Sequence, residues 1–314
     1  MHSFHIPFKI QKSLFQIKHG DNLLFLGSCF SDEISEKAKF NGFDVTVDPF
    51  GTIFHPEVIA RNISESIQVK TSVTRIIQRN DLFFSWNASG QVYGYSKEEL
   101  QKKITVSQSL LSSSLKESKV LFITFGTAWG YALKELGITV ANCHKQNSSC
   151  FDKQLAKIDE LEKTWKELIV NLKEFNNELK IVFTVSPVRH VKDGLVENNQ
   201  SKSVLIELVR RLQKDTQITY FPSYEIVLDE LRDYRFFKKD RVHPNEEAID
   251  YVWKRFKDAY FDEETIKLTE KVEKIKLAEK HRSLYSKSED YLQFKLIQKQ
   301  NRDKFQKDYP DLKL

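Results

Sequence analysis

At 314 residues, with 40% hydrophobic and 30% charged positions and a net charge of +5, the chain can bury a full core and has the balance of an ordinary globular protein. Its basic residues are spread through Lys-rich segments and not interleaved with aromatics, which argues against a nucleic-acid binder, and no apolar run is long enough to cross a bilayer. Three cysteines form no even disulfide framework and the N-terminus lacks a signal peptide's apolar core, so a reducing, cytoplasmic setting is the expectation.

Residues 1 to 20 carry apolar positions at near-alternating spacing (Phe4, Ile6, Phe8, Ile10, Phe15, Ile17), the pattern of an extended lead-in packed on the domain. The apolar run Leu23-Leu-Phe-Leu26 then breaks at Gly27 into Ser28-Cys29-Phe30-Ser31, which reads as buried strand, tight turn and helix start. A side chain at such a junction meets free backbone N–H groups and the positive end of a helix dipole. Cys29 is therefore a candidate nucleophile expected to ionise readily, against the alternative of a small buried hydrophobe. Ile34, Ala38 and Phe40 mark the helix, Asn41-Gly42 its end, and Val45 with Val47 a second strand. Its exit, Asp48-Pro-Phe-Gly-Thr52, is a turn in which Gly51 allows close backbone approach.

A helix is predicted over 56 to 69. Leu82–Trp86 and Gln91–Tyr95 then flank Asn87-Ala-Ser-Gly90 as a hairpin within an insertion at about 72 to 96, and a helix from Lys97 to Ser113 follows. Val120–Phe125 is the next buried strand. A zinc site at Cys143, His144 and Cys150 fails on spacing, so no metal and no cofactor is expected. Apolar steps of three and four from Leu155 to Leu172 predict a helix over Phe151 to Phe175, and Ile181–Val185 the fourth strand. Arg189 and His190 leave its carboxyl end, where open α/β sheets bind ligands, so both are candidate substrate contacts. A helix to Leu212, a fifth strand at Ile218–Tyr220 and a helix over Pro222 to Leu231 lead to Asp240-Arg-Val-His-Pro-Asn245. There Asp240 stands three residues before His243, the local form of a charge-relay pair, and Pro244 is expected at the first helical position after it.

Taken with the Gly27-Ser-Cys block, Asp240 and His243 resemble the SGNH (GDSL-like) hydrolases, which carry a nucleophile after the first strand and an Asp-x-x-His block late in the chain. Phe125-Gly-Thr-Ala-Trp129, Asn142-Cys-His-Lys145, Thr184–His190, Asp193-Gly194 and Asp233-Tyr-Arg-Phe236 narrow the resemblance to the GSCFA family of bacterial proteins, over most of residues 20 to 260. The resemblance puts Cys29 in the nucleophile's place, with Ser28 at the Asp position of the block and the alternative nucleophile. It implies His243 as base, Asp240 as its orienting acid and Gly51 as an oxyanion donor. Ala128 stands where the superfamily has an oxyanion Asn, which makes Asn142 first and Trp129 second as replacement; His144 in the same stretch is a candidate substrate contact.

Alternating strands and helices and the resemblance agree on one fold class: a three-layer α/β/α sandwich with a five-stranded, mainly parallel, SGNH/flavodoxin-like sheet. The catalytic domain would span 1 to 262, with a charged helical extension over 263 to 314 that wraps the domain or joins a second copy in a homo-oligomer. The first functional reading is a hydrolase of ester bonds in a small-molecule or carbohydrate acyl substrate. An acyltransferase to a hydroxyl acceptor and a non-catalytic binding protein on the same scaffold are the alternatives.

Overall fold

The apolar run after Asp21 folds as its composition demands: Asn22–Gly27 (β1) is a strand with Leu23 to Leu26 buried on both faces. The computed structural model describes residue 6 and residues 8–68, 75–281, 284–285, 287–310, 312 and 314, so Phe4 of the lead-in and residues 72–74 of the insertion lie outside the described residues. From β1 the chain enters Cys29–Phe40 (α1), Asp44–Val47 (β2) and Pro56–Ile67 (α2). After an antiparallel insert of Ile76–Arg79 (β3), Leu82–Ser85 (β4) and Tyr93–Gly94 (β5) come Lys97–Glu117 (α3) and Val120–Phe125 (β6). A second antiparallel insert comprises Trp129–Leu133 (β7), Ile138–Thr139 (β8) and Phe151–Leu155 (β9). Ile158–Phe175 (α4), Lys180–Val185 (β10), Leu195–Asp215 (α5) and Ile218–Tyr220 (β11) complete the central layer. Last come a turn at Ser223–Glu225 (α6) that widens into a π-helix over Ile226–Leu231, Glu246–Tyr260 (α7), Glu263–Lys280 (α8) and Glu289–Asp308 (α9).

The central sheet has five strands in the order β2-β1-β6-β10-β11, every pair parallel, in a three-layer α/β/α arrangement. Period-two alternation splits β1 between two cores. Leu24 and Leu26 pack with α2, α3, α4 and α5, while Leu23 and Phe25 pack with α1 and α7. Each such side chain contributes about 1.5–3 kcal/mol when fully buried, which is why the central strands are nearly all apolar. The strand order reverses between β1 and β6, so the crevice of the sheet opens at their carboxyl ends, where Gly27 and Gly126 lie.

Several expectations change at the inserts and helix starts. The tight hairpin turn is at Asn80-Asp81, between β3 and β4, with Asn80 left-handed at φ 54°; Asn87–Gly90 is part of a longer connection to β5. Phe151–Leu155 is a strand because Phe151 is drawn against Trp86 and Tyr131 while its backbone pairs with β7, so α4 begins only at Ile158. Pro244 precedes α7, whose cap is Asn245 and whose first residue is Glu246. Ile17 is fully buried and bridges Phe261, which anchors the extended lead-in. In the tail, α8 buries Val272 and sends Lys276 Nζ to the Lys39 carbonyl of α1, so this helix is docked on the domain.

Candidate active site

Cys29 is the first residue of α1, and the turn that presents it is held from several directions. Gly27 has φ 131°, and a Cβ there would lie 2.1 Å from the Thr124 carbonyl oxygen of β6, so both conformation and space require glycine. Its N–H donates to Asp48 Oδ1 at 2.7 Å, and the Ser28 N–H donates to the Thr124 carbonyl at 3.1 Å. Ser28 is fully buried; its hydroxyl donates to Ser186 Oγ at 2.8 Å and accepts from the Phe30 N–H as the cap of α1. Those bonds make Ser28 a structural hydroxyl rather than an alternative nucleophile. Cys29 is partly buried.

The easy ionisation expected of Cys29 does not hold. Burial pushes its thiol up from the ordinary value, opposed by the hydroxyl of Ser28 and by its own backbone N–H, and the charges of Asp32 and Glu33 on α1 push it further up. The helix start attracts an anion, but it also carries those two acids, so a base must take the proton.

Asp240 and His243 occupy an exposed loop before α7. Asp240 Oδ1 accepts the N–H groups of Val242 and His243 at 2.9 and 3.1 Å, and the imidazole Nδ1–H donates to Oδ2 at 2.7 Å. These backbone bonds first, then the imidazole, hold the Asp240 carboxyl well below the usual carboxylate range. With Nδ1 so engaged, the tautomer leaves Nε2 as the free, basic nitrogen. The loop closes through the Lys238 N–H to the His243 carbonyl at 2.7 Å, and Lys238 Nζ reaches Glu33 on α1 at 3.1 Å, which ties it to the helix that begins at Cys29.

The remaining sequence candidates divide. Arg189 is spent on the His243 loop: its guanidinium lies over Phe237 at 4.4 Å and Tyr234 at 5.2 Å and donates to the Arg241 carbonyl. It is therefore a scaffold for that loop, not a free substrate clamp. The Trp129 indole N–H donates to the Glu197 carbonyl at 2.9 Å, which removes it as an oxyanion donor. The Gly51 N–H closes a turn onto the Asp48 carbonyl at 2.7 Å, and its φ of 72° serves close packing against Ser89, so it too is spent. His144 is buried and stacked on Phe84 with Nε2 at the Ser85 carbonyl, 2.9 Å, so it holds the insert together and does not line an open site. Asn142 is exposed beside Gly90, its Oδ1 accepting from the His144 N–H. His190 leaves β10 with its backbone N–H on Asn198 Oδ1 and its ring edge-on to Phe54; its buried Nε2 has no partner among the described residues. Burial, then the charge of Lys202, with that of His243 adding, lowers its pKa to about 4, so the ring is neutral.

Two features escaped the sequence reading. Asp48, read there only as part of a turn, is partly buried with its Oδ2 shut off from solvent and without a partner among the described residues, and burial pushes its carboxyl far above the ordinary value, with Asp32 beside it. Lys202 of α5 is fully buried, its Nζ donating to the carbonyls of Gly126 and Ser186 at 2.7 Å each. The signal was present, because the stripe Leu212, Leu208/Val209, Leu205 extends backwards by helical steps to Ser201/Lys202 and Asn198, which are buried too.

Comparison with known proteins gives a family and a set of distant structural likenesses. No curated protein matches the chain. Solved structures similar to it include a carbohydrate esterase family 3 protein from Talaromyces cellulolyticus, at 9% identity over 80% of this chain and 98% of that one, with a TM-score of 0.38. A lipase from a goat rumen metagenome, at 11% identity over 77% and 99%, has a TM-score of 0.39. An acetyl xylan esterase from Butyrivibrio proteoclasticus, at 10% identity over 76% and 63%, has 0.38. The family model of the GSCFA family matches residues 22–256, from the first residue of β1 into α7, and the chain is therefore a member of the GSCFA family.

Proposed function

We propose that this protein hydrolyses acyl esters, with Cys29 as nucleophile, His243 as general base and Asp240 as the acid that orients it. The observation that carries the reading is the Asp240–His243 pair, joined at 2.7 Å on a loop that is ion-paired to the helix beginning at Cys29. Because burial keeps the thiol protonated, the first step is a proton transfer from Sγ to His243 Nε2 as sulfur attacks the acyl carbonyl. Asp240, ionised throughout the neutral range, stabilises the imidazolium that forms.

Charge on the carbonyl oxygen is met at the start of α1, where the Cys29 N–H lies against its own sulfur, with Asn142 Nδ2 as the side-chain donor in place of Ala128. Collapse gives a thioester on Cys29, and the imidazolium returns its proton to the leaving alkoxide. Water, deprotonated by His243, then releases the acid and restores the thiol. A hydroxyl acceptor in place of water would make the same site an acyltransferase.

The test is a panel of acetylated and longer-chain p-nitrophenyl esters and acetylated sugars, with acid-quenched mass mapping of the acyl group. Acylation of the Cys29 peptide and loss of turnover in Cys29→Ala are expected. Undiminished hydrolysis by Cys29→Ala would sink the assignment, and an alcohol that diverts the acyl group at the expense of acid release would identify transfer.

A further inference from the structure

Lys202 has no part in the chemistry above, yet burying an ammonium is costly and such a group is normally paired. It is 1% exposed and donates to the carbonyls of Gly126, which follows β6, and Ser186, which follows β10. Ser186 in turn accepts the hydroxyl of Ser28, the residue before the nucleophile, and Ser28 takes the Thr124 carbonyl with its N–H. One ammonium thus spans the carboxyl ends of the two strands against which the nucleophile turn is built.

We propose that Lys202 is a positioning residue for Cys29: its buried charge clamps the ends of β6 and β10 beneath the nucleophile turn and supplies the positive field in which the Cys29 thiolate forms. The proposal rests on Cys29 being the nucleophile of the site described above. Asp32 and Glu33 on α1 oppose the thiolate; His190 after β10 is held neutral, with Asp193 beyond it, and His243 lies on the loop before α7. Burial, opposed by the Cys29 charge, leaves the Lys202 ammonium lowered to about 7.

The sign follows from linkage. Below neutral pH Lys202 is charged and assists thiolate formation, so the thiolate fraction climbs with pH. As Lys202 loses its proton that assistance is withdrawn, and the climb pauses before resuming at higher pH. The experiment follows the rate of carbamidomethylation by iodoacetamide from pH 5.5 to 10 in a Cys143→Ser, Cys150→Ser background, where only Cys29 reports. The parent should give a two-step profile with a shoulder near pH 7. Lys202→Met should give a single step, with labelling at pH 6 slower by about tenfold or more, the equivalent of one pKa unit. Circular dichroism at low temperature establishes that the variant is folded. Should it not fold, the same profile recorded in His243→Ala decides: a retained shoulder supports the assignment and a single ordinary thiol step overturns it. A folded Lys202→Met with the parent's profile also overturns it. Because alkylation needs no ester turnover, a shoulder in a protein that hydrolyses nothing would refute the hydrolase reading and leave the Lys202–Cys29 coupling standing. An active esterase with a single-step profile would do the reverse.

Discussion

The two halves of the site are built to different standards of rigidity. The Gly27–Cys29 turn is packed into the sheet: Gly27 fits only as glycine, Asp48 holds its N–H, and Ser28 is locked to Ser186 and Thr124. The Asp240–His243 loop is exposed, with side chains 47% and 43% accessible, and is held by its own turn, by Arg189 and by one surface ion pair to α1. A displacement of the turn must disturb the packed sheet ends, whereas the loop can shift its imidazole by a small rearrangement in water. On the proposed mechanism the nucleophile is thus pre-positioned and the base adjustable, which suits an imidazole that serves first the thiol and then a water.

That contrast breaks most severely at Gly27. Gly27→Ala must relieve a 2.1 Å approach of its Cβ to the Thr124 carbonyl oxygen at a φ that L-residues avoid, so a loss of about 3 kcal/mol or more is expected. Urea denaturation would measure it, and a change below about 1 kcal/mol would show that the turn is not over-determined. On the loop side the signs reverse. His243→Ala should leave the urea midpoint nearly unchanged while lowering kcat/KM by about 10²–10⁴-fold, with Asp240→Asn following it in direction. If His243→Ala destabilises as much as Gly27→Ala, the two halves are not different in kind.

Asp48 sharpens the comparison through pH. Its folded pKa is raised, so the native state holds a proton that the unfolded chain releases, and stability falls as pH climbs above the unfolded carboxylate value near 4 towards the folded value. Asp48→Asn keeps an acceptor for the Gly27 N–H and offers a donor to Asp32. It should match the parent at low pH and be more stable at neutral pH, as thermal melts at pH 4 and 7.5 would record; equal melting shifts at both would refute a buried neutral acid. The smallest effect belongs to Lys238→Ala. The ion pair with Glu33 is about half-exposed on both sides, so its loss should cost about 0.5 kcal/mol or less. Turnover should become less sensitive to salt than in the parent, because the salt-screened tether is gone; an unaltered salt dependence would show that the tether does not position the loop.

How much of this was legible beforehand varied with the range of the interaction. The carboxyl-end turn at Gly27–Cys29 and the Asp240–His243 pair are local patterns, written within three or four residues, and they could be read as such. The inserts misled because their pairing partners are distant. Leu155 keeps helical step with Ile158 and Leu161, yet its backbone pairs with Trp129, and tertiary pairing overrode the local period. The donors Gly51 and Trp129 failed for the same reason, since only the fold shows that each N–H already has an acceptor.

By itself the amino-acid order determined the alternation of strands and helices, the parallel sheet that follows from it, and the residues offered at the strand ends. These depend on hydrophobic period and turn chemistry, which act along the chain. Only the tertiary structure decided that Ser28 is a cap, that Arg189 braces the histidine loop, that Asp48 is a buried acid, and that a lysine from α5 lies beneath the turn. Each of those outcomes depends on which groups lose water and which partners they find there, and desolvation is a property of the packed chain and not of any stretch of it.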